Sequence, residues 1–255
     1  MPPRRRSPLR HAPTTAARGD PPTIRVELLG GFELGVDGRS IRIPVHAQRL
    51  VAFLALHDRP LHRAYVAGRL WIDLSQEQAH NCLRSTLWRM RGPSRPVVDA
   101  SATHLVLDPA VDVDARELES AASRVLHHES LSAHEIDQLV SAADLLVDWY
   151  EDWVVEERDR LRHLRLLALE TACTELVAAN RFTEALVAGT AAVAGDPLRE
   201  SATRALIAAH GATGNVAEAL RRYEAYRSSL AETLELTPSP HMTELIHSIV
   251  PGRAS

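Results

Sequence analysis

The sequence predicts a mainly α-helical protein with a small β part near its N-terminus. Apolar and polar residues alternate with the period of a strand only within residues 24–43 and 97–107. From residue 113 onward, apolar residues recur at helical spacing. In that region a Glu-Ala-Leu motif at 184–186 returns at 218–220, an offset of 34 residues that is the period of tetratricopeptide (TPR) helix pairs.

Length and composition set the class of protein. The 255 residues suffice for one or two domains, and 45% hydrophobic with 24% charged residues is ordinary for a globular protein. No apolar stretch approaches a membrane span, and the N-terminus lacks the apolar run of a secretory signal. Cys82 and Cys173 show no CxxC spacing, so neither a disulfide nor a zinc site is expected. We expect a cytoplasmic protein without membrane contact.

Charge divides the chain into two parts. Residues 1–110 carry 16 Arg and nine acidic residues, whereas residues 111–255 carry 13 Arg and 24 acidic residues. A basic part can lie near a polyanion, and an acidic part is repelled by one. This division favours two modules with different partners, with composition drift along the chain as the alternative.

The first 22 residues have the composition of a disordered arm. They contain six of the 15 prolines, five Arg and almost nothing apolar. Such a segment cannot bury enough apolar surface to fold.

A small antiparallel sheet is predicted next. Residues 24–28, 32–36 and 39–43 alternate apolar and polar side chains. Asp37-Gly38 is a two-residue hairpin signal, because a type I′ turn needs positive φ at both central positions. Pro44 is expected to end the sheet.

Three helices and a hairpin follow the sheet. The helical patterns cover 48–57, 63–71 and 75–91, and the third begins with a capping box formed by Ser75 and Gln78. It stops at a Gly-Pro pair, and residues 97–107 then predict a β-hairpin. A third helix followed at once by a hairpin is the plan of a winged helix-turn-helix. We therefore expect a winged-helix DNA-binding domain over residues 23–110.

The second domain, predicted over 111–250, is an all-α, TPR-like helical module. Its helices are predicted at 114–127, 132–147, 149–180, 182–194, 198–212, 215–234 and 240–249.

The third helix of the first domain has two contrasting faces on a wheel of 100° per residue. One face is suited to packing: Ala79, Leu83, Thr86, Leu87 and Met90. The opposite face and its flanks carry Asn81, Arg84, Ser85, Trp88, Arg89 and Arg91. An α-helix fits the major groove, where Arg and Asn bond to base edges, while Ser and flanking Arg reach phosphates. We predict these six residues, with Thr103 and His104 of the wing, as the DNA-binding set.

Two alternatives stay open for this face. Most polar helix faces are merely solvated, although the window 75–95 has four Arg against one Glu. Trp88 could contact DNA, the acidic module or a second copy of the chain.

Several motifs resemble those of the Streptomyces antibiotic regulatory protein (SARP) family of transcription activators, over residues 24–250. The matching stretches of the first domain are Ile24 to Ile43, Gln48-Arg49-Leu50, Leu70-Trp71 and Asn81 to Arg91. Those of the second, which are the more specific, are Trp153 to Arg158, Leu161 to Arg165, Asp196 to Glu200, Ala217 to Tyr223 and Thr237 to Pro240.

The resemblance implies an OmpR-type winged helix followed by a bacterial transcriptional activator domain. It further implies binding to direct repeats in double-stranded promoter DNA by side-by-side protomers. It implies recruitment of RNA polymerase through its sigma and alpha subunits, and control of a secondary-metabolite gene cluster. A nucleoid-associated location would follow.

Three departures from the family pattern affect the expected contacts. Ala47 stands where the family commonly has a Lys or Arg before Gln48-Arg49, which removes one expected phosphate contact. The loop after Leu70-Trp71 reads Ile72 to Ser75, where the family has Gly and then acidic and Pro residues; this loop is a candidate polymerase contact. His104 stands where the family's wing has an Arg, so a partly charged imidazole replaces a fixed cation.

A second hypothesis is a TPR-like protein-interaction scaffold whose winged helix has lost DNA binding, which also fits the acidic second part. The sequence does not support an enzyme, because it contains neither a GxxxxGK[ST] loop nor an HExxH motif. His127-His128 is more consistent with a surface pair than with a metal site. No catalytic residue, metal or cofactor is predicted.

Overall fold

The computed structural model describes residues 22–90, 97–130 and 132–250, within which the chain forms ten helices and seven strands. The predicted fold class, mainly α with a small β part near the N-terminus, is confirmed. The strands are β1 Ile24–Glu27, β2 Glu33–Val36, β3 Arg39–Ser40, β4 Leu61–His62, β5 Val98–Ala100, β6 His104–Leu107 and β7 Val111–Val113. The predicted arm, apart from Pro22, lies outside the described residues.

The helices follow the predicted order. In the first part they are α1 Val45–Ala55, α2 Arg63–Leu70 and α3 Gln76–Arg89. In the second part they are α4 Asp114–Leu126, α5 Ala133–Ser141, α6 Asp152–Ala178, α7 Phe182–Gly195, α8 Glu200–Ala212, α9 Val216–Leu234 and α10 Pro240–Ile249.

The N-terminal sheet has four strands in the order β3-β2-β1-β7. β1 is antiparallel to β2, with Ile24 opposite Val36. β2 is antiparallel to β3, with Val36 opposite Arg39, as the hairpin signal at Asp37-Gly38 predicted. β7 adds a strand parallel to β1, with Ile24 opposite Val111. The expectation of a purely antiparallel sheet that ends at Pro44 was therefore wrong, because a three-residue strand is too short to show a period.

The wing is a second sheet of three strands in the order β4-β6-β5. The predicted hairpin between β5 and β6 is confirmed, with Val98 opposite Leu107. β4, of two residues, joins it through the pair Leu61 and Leu105. This strand connects the start of α2 to the wing, a link that the sequence did not reveal.

The expected helix over 132–147 ends early, at Ser141. The following segment runs beside the end of β1 instead: Leu146 N–H donates to the Leu28 carbonyl at 2.8 Å, and Gly30 N–H donates to the Asp144 carbonyl at 2.8 Å. Arg158 of α6 donates to the carbonyls of Leu145 and Trp149, at 2.6 and 2.8 Å, and to that of Leu146. These distant partners satisfy the backbone of the segment, so it needs no helix.

The 34-residue sequence repeat is also a structural repeat. Arg181 N–H donates to Leu176 O at 2.8 Å, and 34 positions later Asn215 N–H donates to His210 O at 2.9 Å. Asn180 and its counterpart Gly214 both have positive φ, 59° and 72°. Each helix that follows buries the alanine of its Glu-Ala-Leu motif completely. The turn geometry thus repeats, while assignment to the TPR class stays a prediction.

One hydrophobic core runs through both parts of the chain. It contains the inner faces of β1 and α1 as well as those of α4, α6 and α7. At the junction the rings of Phe53 in α1 and Trp153 in α6 meet edge to face, with centroids 5.2 Å apart. Trp149 packs edge to face on Trp153 and stacks with Phe32. These contacts fix the helical module against the winged helix.

Polar groups reinforce the same junction. The Asp114 carboxylate, at the start of α4, accepts hydrogen bonds from the backbone N–H groups of Leu28 and Leu29 at 2.9–3.0 Å and from that of Ala115 at 2.7 Å. Burial raises the pKa of Asp114, although these three donors favour its charged form. Arg25 and Glu117 form a bidentate pair beside it at 3.0 Å.

A second, smaller core lies between α8, α9 and α10 and includes Ile207, Tyr226 and Met242. Glu200 joins the three helices, because its carboxylate accepts from Ser239 N–H at 2.9 Å, from the Ser239 hydroxyl and from Tyr226 O–H at 3.4 Å. Burial opposes the charge of Glu200, but the bonds from Ser239 outweigh it and the pKa is lowered. Burial, followed by the Glu200 charge, raises the pKa of Tyr226 to about 12.

None of the helices in the described ranges is long and apolar enough to cross a membrane.

Replacement of Asp114 by alanine is expected to destabilise the protein by about 2–3 kcal/mol, because two N–H groups at the end of β1 lose their acceptor. Urea denaturation of the full chain measures the change. Asp112→Ala, at an exposed position of the neighbouring strand β7, is the matched control and should cost less than about 0.5 kcal/mol. Equal effects of the two substitutions would contradict the role of Asp114.

Glu200→Gln is expected to cost about 1–2 kcal/mol at neutral pH, since a charged acceptor becomes neutral. A carboxylate with a lowered pKa stabilises the fold above its ordinary range, and this contribution disappears as the pH falls through the lowered value. The difference in melting temperature between the wild type and the variant should therefore narrow as the pH falls through the ordinary range of a carboxyl group and close below the lowered pKa. Glu232→Gln, an exposed change in α9, should show no such convergence.

Candidate nucleic-acid interface

The candidate interface is built on α3, whose start is fixed by the predicted capping box. The Ser75 hydroxyl accepts from Gln78 N–H at 3.4 Å, and Ser75 N–H donates to the Gln78 side chain at 3.1 Å. Glu77 in the first turn and Arg89 in the last complement the helix dipole.

The two faces of α3 differ as the helical wheel predicted. Ala79, Leu83 and Thr86 are buried, and Leu87 and Met90 pack against the core. The Thr86 hydroxyl donates to the Cys82 carbonyl at 2.8 Å, which satisfies the one polar group on this face. The predicted DNA-binding residues of the helix that the structure describes are all exposed: Asn81, Arg84, Ser85, Trp88 and Arg89. Trp88 is 71% exposed, which is unusual for so large an apolar side chain. Arg91 lies outside the described residues.

The wing stands next to this face, and its turn is held by hydrogen bonds. Thr103 and His104 are both exposed, with the Thr103 hydroxyl 2.9 Å from Nδ1 of His104. The Ser101 hydroxyl accepts from His104 N–H at 2.9 Å. Arg63, at the start of α2, donates its backbone N–H to the Thr103 carbonyl at 2.9 Å and its guanidinium to the Ser101 carbonyl at 3.2 Å.

A groove of about 270 Å³ separates the wing from α3. It brings Arg84 and Thr103 together, whereas Asn81, Ser85, Trp88 and Arg89 lie outside it. Its lining residues are His62, Arg63, Ala64, His80, Leu83, Arg84, Ala102 and Thr103. His62 and Arg63 were not predicted as site residues, because only the pairing of β4 with β6 carries the start of α2 to the wing.

A family comparison bears on the second part of the chain. The model of the bacterial transcriptional activator domain matches residues 111–250, more than half of the chain. The chain belongs to this family of transcriptional activators. The expected membership of the SARP family is thereby confirmed.

Two curated relatives of this activator are known as regulatory protein AfsR. The protein of Streptomyces coelicolor is 30% identical over 240 residues, which cover 89% of this chain and 24% of the relative. That of Streptomyces griseus is 26% identical over 266 residues, which cover 97% of this chain and 26% of the relative. The chain thus spans about a quarter of the length of these relatives.

A solved structure shares the fold. Mycobacterium tuberculosis EmbR, determined in complex with a low-affinity phosphopeptide, superimposes with a TM-score of 0.70 at 19% identity. The match covers 89% of this chain and 65% of EmbR.

The activator domain reaches the loop that precedes α3. Arg69 at the end of α2 pairs with Glu156 of α6 at 2.8 Å, and Arg49 of α1 pairs with Glu151 at 2.8 Å. The loop itself leaves Ile72 72% and Leu74 40% exposed beside this junction. A surface of mixed charge with two uncovered apolar side chains therefore flanks the start of the helix.

The surroundings of the His and Cys side chains bear on metal binding and thiol chemistry. Within the described ranges, no group of three or more His, Cys, Asp or Glu side chains is placed to hold a metal ion. Cys173 is buried, and burial raises the pKa of its thiol to about 11, which disfavours the reactive thiolate. Nδ1 of His128, whose side chain is exposed, contacts the Glu175 carboxylate.

Proposed function

We propose that the chain is a sequence-specific DNA-binding transcription activator. The observation that carries this proposal is the exposed face of α3 beside an ordered wing. A helix of this kind is 10–12 Å wide with its side chains, which suits the major groove of about 12 Å. The buried face keeps the helix attached to its own domain while the polar face enters the DNA.

The exposed side chains of α3 are suited to different groups of the DNA. Arg84 and Asn81 have the donor and acceptor groups that pair with the edges of guanine and adenine. Ser85 and Arg89 can reach phosphates, which hold the protein on the duplex without selecting sequence. Trp88 offers an apolar surface to a thymine methyl group or to the sugars, and Thr103 and His104 contact the backbone from the wing.

Activation of transcription requires contacts with RNA polymerase in addition to those with DNA. We assign the loop with Ile72 and Leu74 to the polymerase, since its exposed apolar side chains lie close to where promoter DNA would run. From family membership we further propose that the chain contacts the sigma and alpha subunits of the polymerase. We also propose that it self-associates on direct repeats and controls a secondary-metabolite gene cluster.

The test uses the full chain, because a fragment of residues 23–110 would lack β7, Asp114 and Trp153. The duplex bound most tightly is first selected from a random library and located by footprinting upstream of the neighbouring genes. Affinity is then measured by gel-shift titration at two salt concentrations.

Arg84→Ala and Asn81→Ala are expected to weaken binding to the selected duplex by about 1–3 kcal/mol each, through loss of a base contact. Arg89→Ala should weaken all duplexes about equally and reduce the slope of log K against log salt by about 1. The matched control is Arg204→Ala, an exposed arginine on α8, which should bind like the wild type.

Unchanged affinity in all three interface variants would defeat the assignment of α3. A wild-type chain that selects no duplex would favour the alternative function, a TPR-like protein-interaction scaffold whose winged helix has lost DNA binding.

Ile72→Asp is expected to leave DNA affinity unchanged but to lower transcription from the selected promoter about tenfold or more, because a buried apolar contact with polymerase is replaced by a charge. Reconstituted transcription with the matching polymerase measures this. Leu236→Asp, at a position 56% exposed beyond α9, is the control and should activate normally. Loss of DNA binding in the Ile72 variant, or full activation by it, would contradict the polymerase contact.

A further inference from the structure

The groove between the wing and α3 is lined by cationic and imidazole side chains. Arg63 enters it from α2 and Arg84 from α3, while His62 and His80 lie on opposite walls. No carboxylate is found among its described lining residues. A groove of about 270 Å³ that is open to solvent has room for a single phosphate group with its hydration.

His104 extends this set at the wing. Its ring meets that of His62 at a right angle, with centroids 5.4 Å apart. Two histidines therefore line the groove and a third contacts one of them, each from a different element: the β4–α2 junction, α3 and β6.

The hydrogen bonds of these histidines determine which of them can take up a proton freely. Nδ1 of His80 lies 2.7 Å from the Gln76 carbonyl, which can only accept, so Nδ1 carries the hydrogen and Nε2 is the atom that gains one. His104 contacts the Thr103 hydroxyl, a group that can donate or accept. Nδ1 of His62, in contrast, accepts the capping bond from Ala64 N–H at 3.3 Å, and protonation there would break it.

We infer that this groove binds one phosphodiester of the DNA backbone and that binding takes up protons at His80 and His104. The inference rests on the proposed function: with α3 in the major groove and the wing on the adjacent backbone, one strand must pass between them. Arg63 and the Nε2 hydrogen of neutral His62 contact its phosphate as fixed donors. His80 and His104 contact it most strongly when protonated, so DNA affinity increases as the pH falls.

The fixed charges that face the groove are positive, as the binding of a phosphate requires. The fixed cations facing it are Arg63 from α2 and Arg84 from α3. Glu77, one turn before His80 on its own helix, is the nearest acidic residue along the chain. A phosphate in contact with an imidazole favours its protonated form, and histidine ordinarily changes charge between pH 5 and 8.

The experiment measures the affinity of the full chain for a rhodamine-labelled duplex from about pH 6 to about pH 8 at constant ionic strength. The wild type should bind more tightly at the lower pH by about two- to fivefold for each histidine, the size of one exposed ion pair. His80→Gln should lose part of this dependence, and the double variant with His104→Gln should lose it entirely. His80→Arg should keep tight binding at the higher pH. The control His247→Gln, an exposed histidine in α10, should behave as the wild type does.

Two further measurements distinguish an effect of the groove residues from an effect on folding or on the DNA contacts of α3. Calorimetric titration in buffers of different ionisation enthalpy should show proton uptake for the wild type and none for the double variant. Arg63→Gln should reduce the salt slope by about 1 at every pH. Thermal melting verifies that each variant folds.

Wild-type affinity that does not change with pH, or a dependence that survives in the double variant, would overturn the inference while leaving DNA binding intact. A wild type that binds no duplex would instead overturn the proposed function, and this inference with it.

Discussion

The edge-to-face contact of Trp153 with Phe53 is the interaction on which the rest of the structure depends. It places a residue of the activator domain within the core of the winged helix, and the core continues through α6 into α7. Asp114 completes the joint, since its carboxylate satisfies the N–H groups at the end of β1. Two parts with opposite charge balance are therefore one packed body rather than domains on a flexible linker.

This rigid joint has a consequence for DNA recognition. The acidic module would be repelled by DNA, yet it is held at a fixed position next to α3 through Arg69 and Glu156. A surface for polymerase can then keep a constant distance from the duplex. Proton uptake in the groove would adjust affinity without moving either part, because the residues that line the groove all belong to the winged helix.

The candidate site was predictable where it depends on one helix. The period of α3 separates the core face from Asn81, Arg84 and Trp88, and the capping box fixes its start. The groove was not predictable, because His62 and Arg63 are far from Thr103 in sequence and meet it only through β4. A two-residue strand leaves no pattern in the sequence, so its pairing could not be anticipated.

By itself the sequence determined the helices, the hairpins, the turn before each Glu-Ala-Leu motif and the polarity of α3, because these follow from contacts within a few residues. Only the tertiary structure decided that β7 joins β1, that residues 142–147 leave the helix and that both parts share a core. Each of those features depends on partners many residues away. Their hydrogen bonds and buried area exist only once the chain has brought them together.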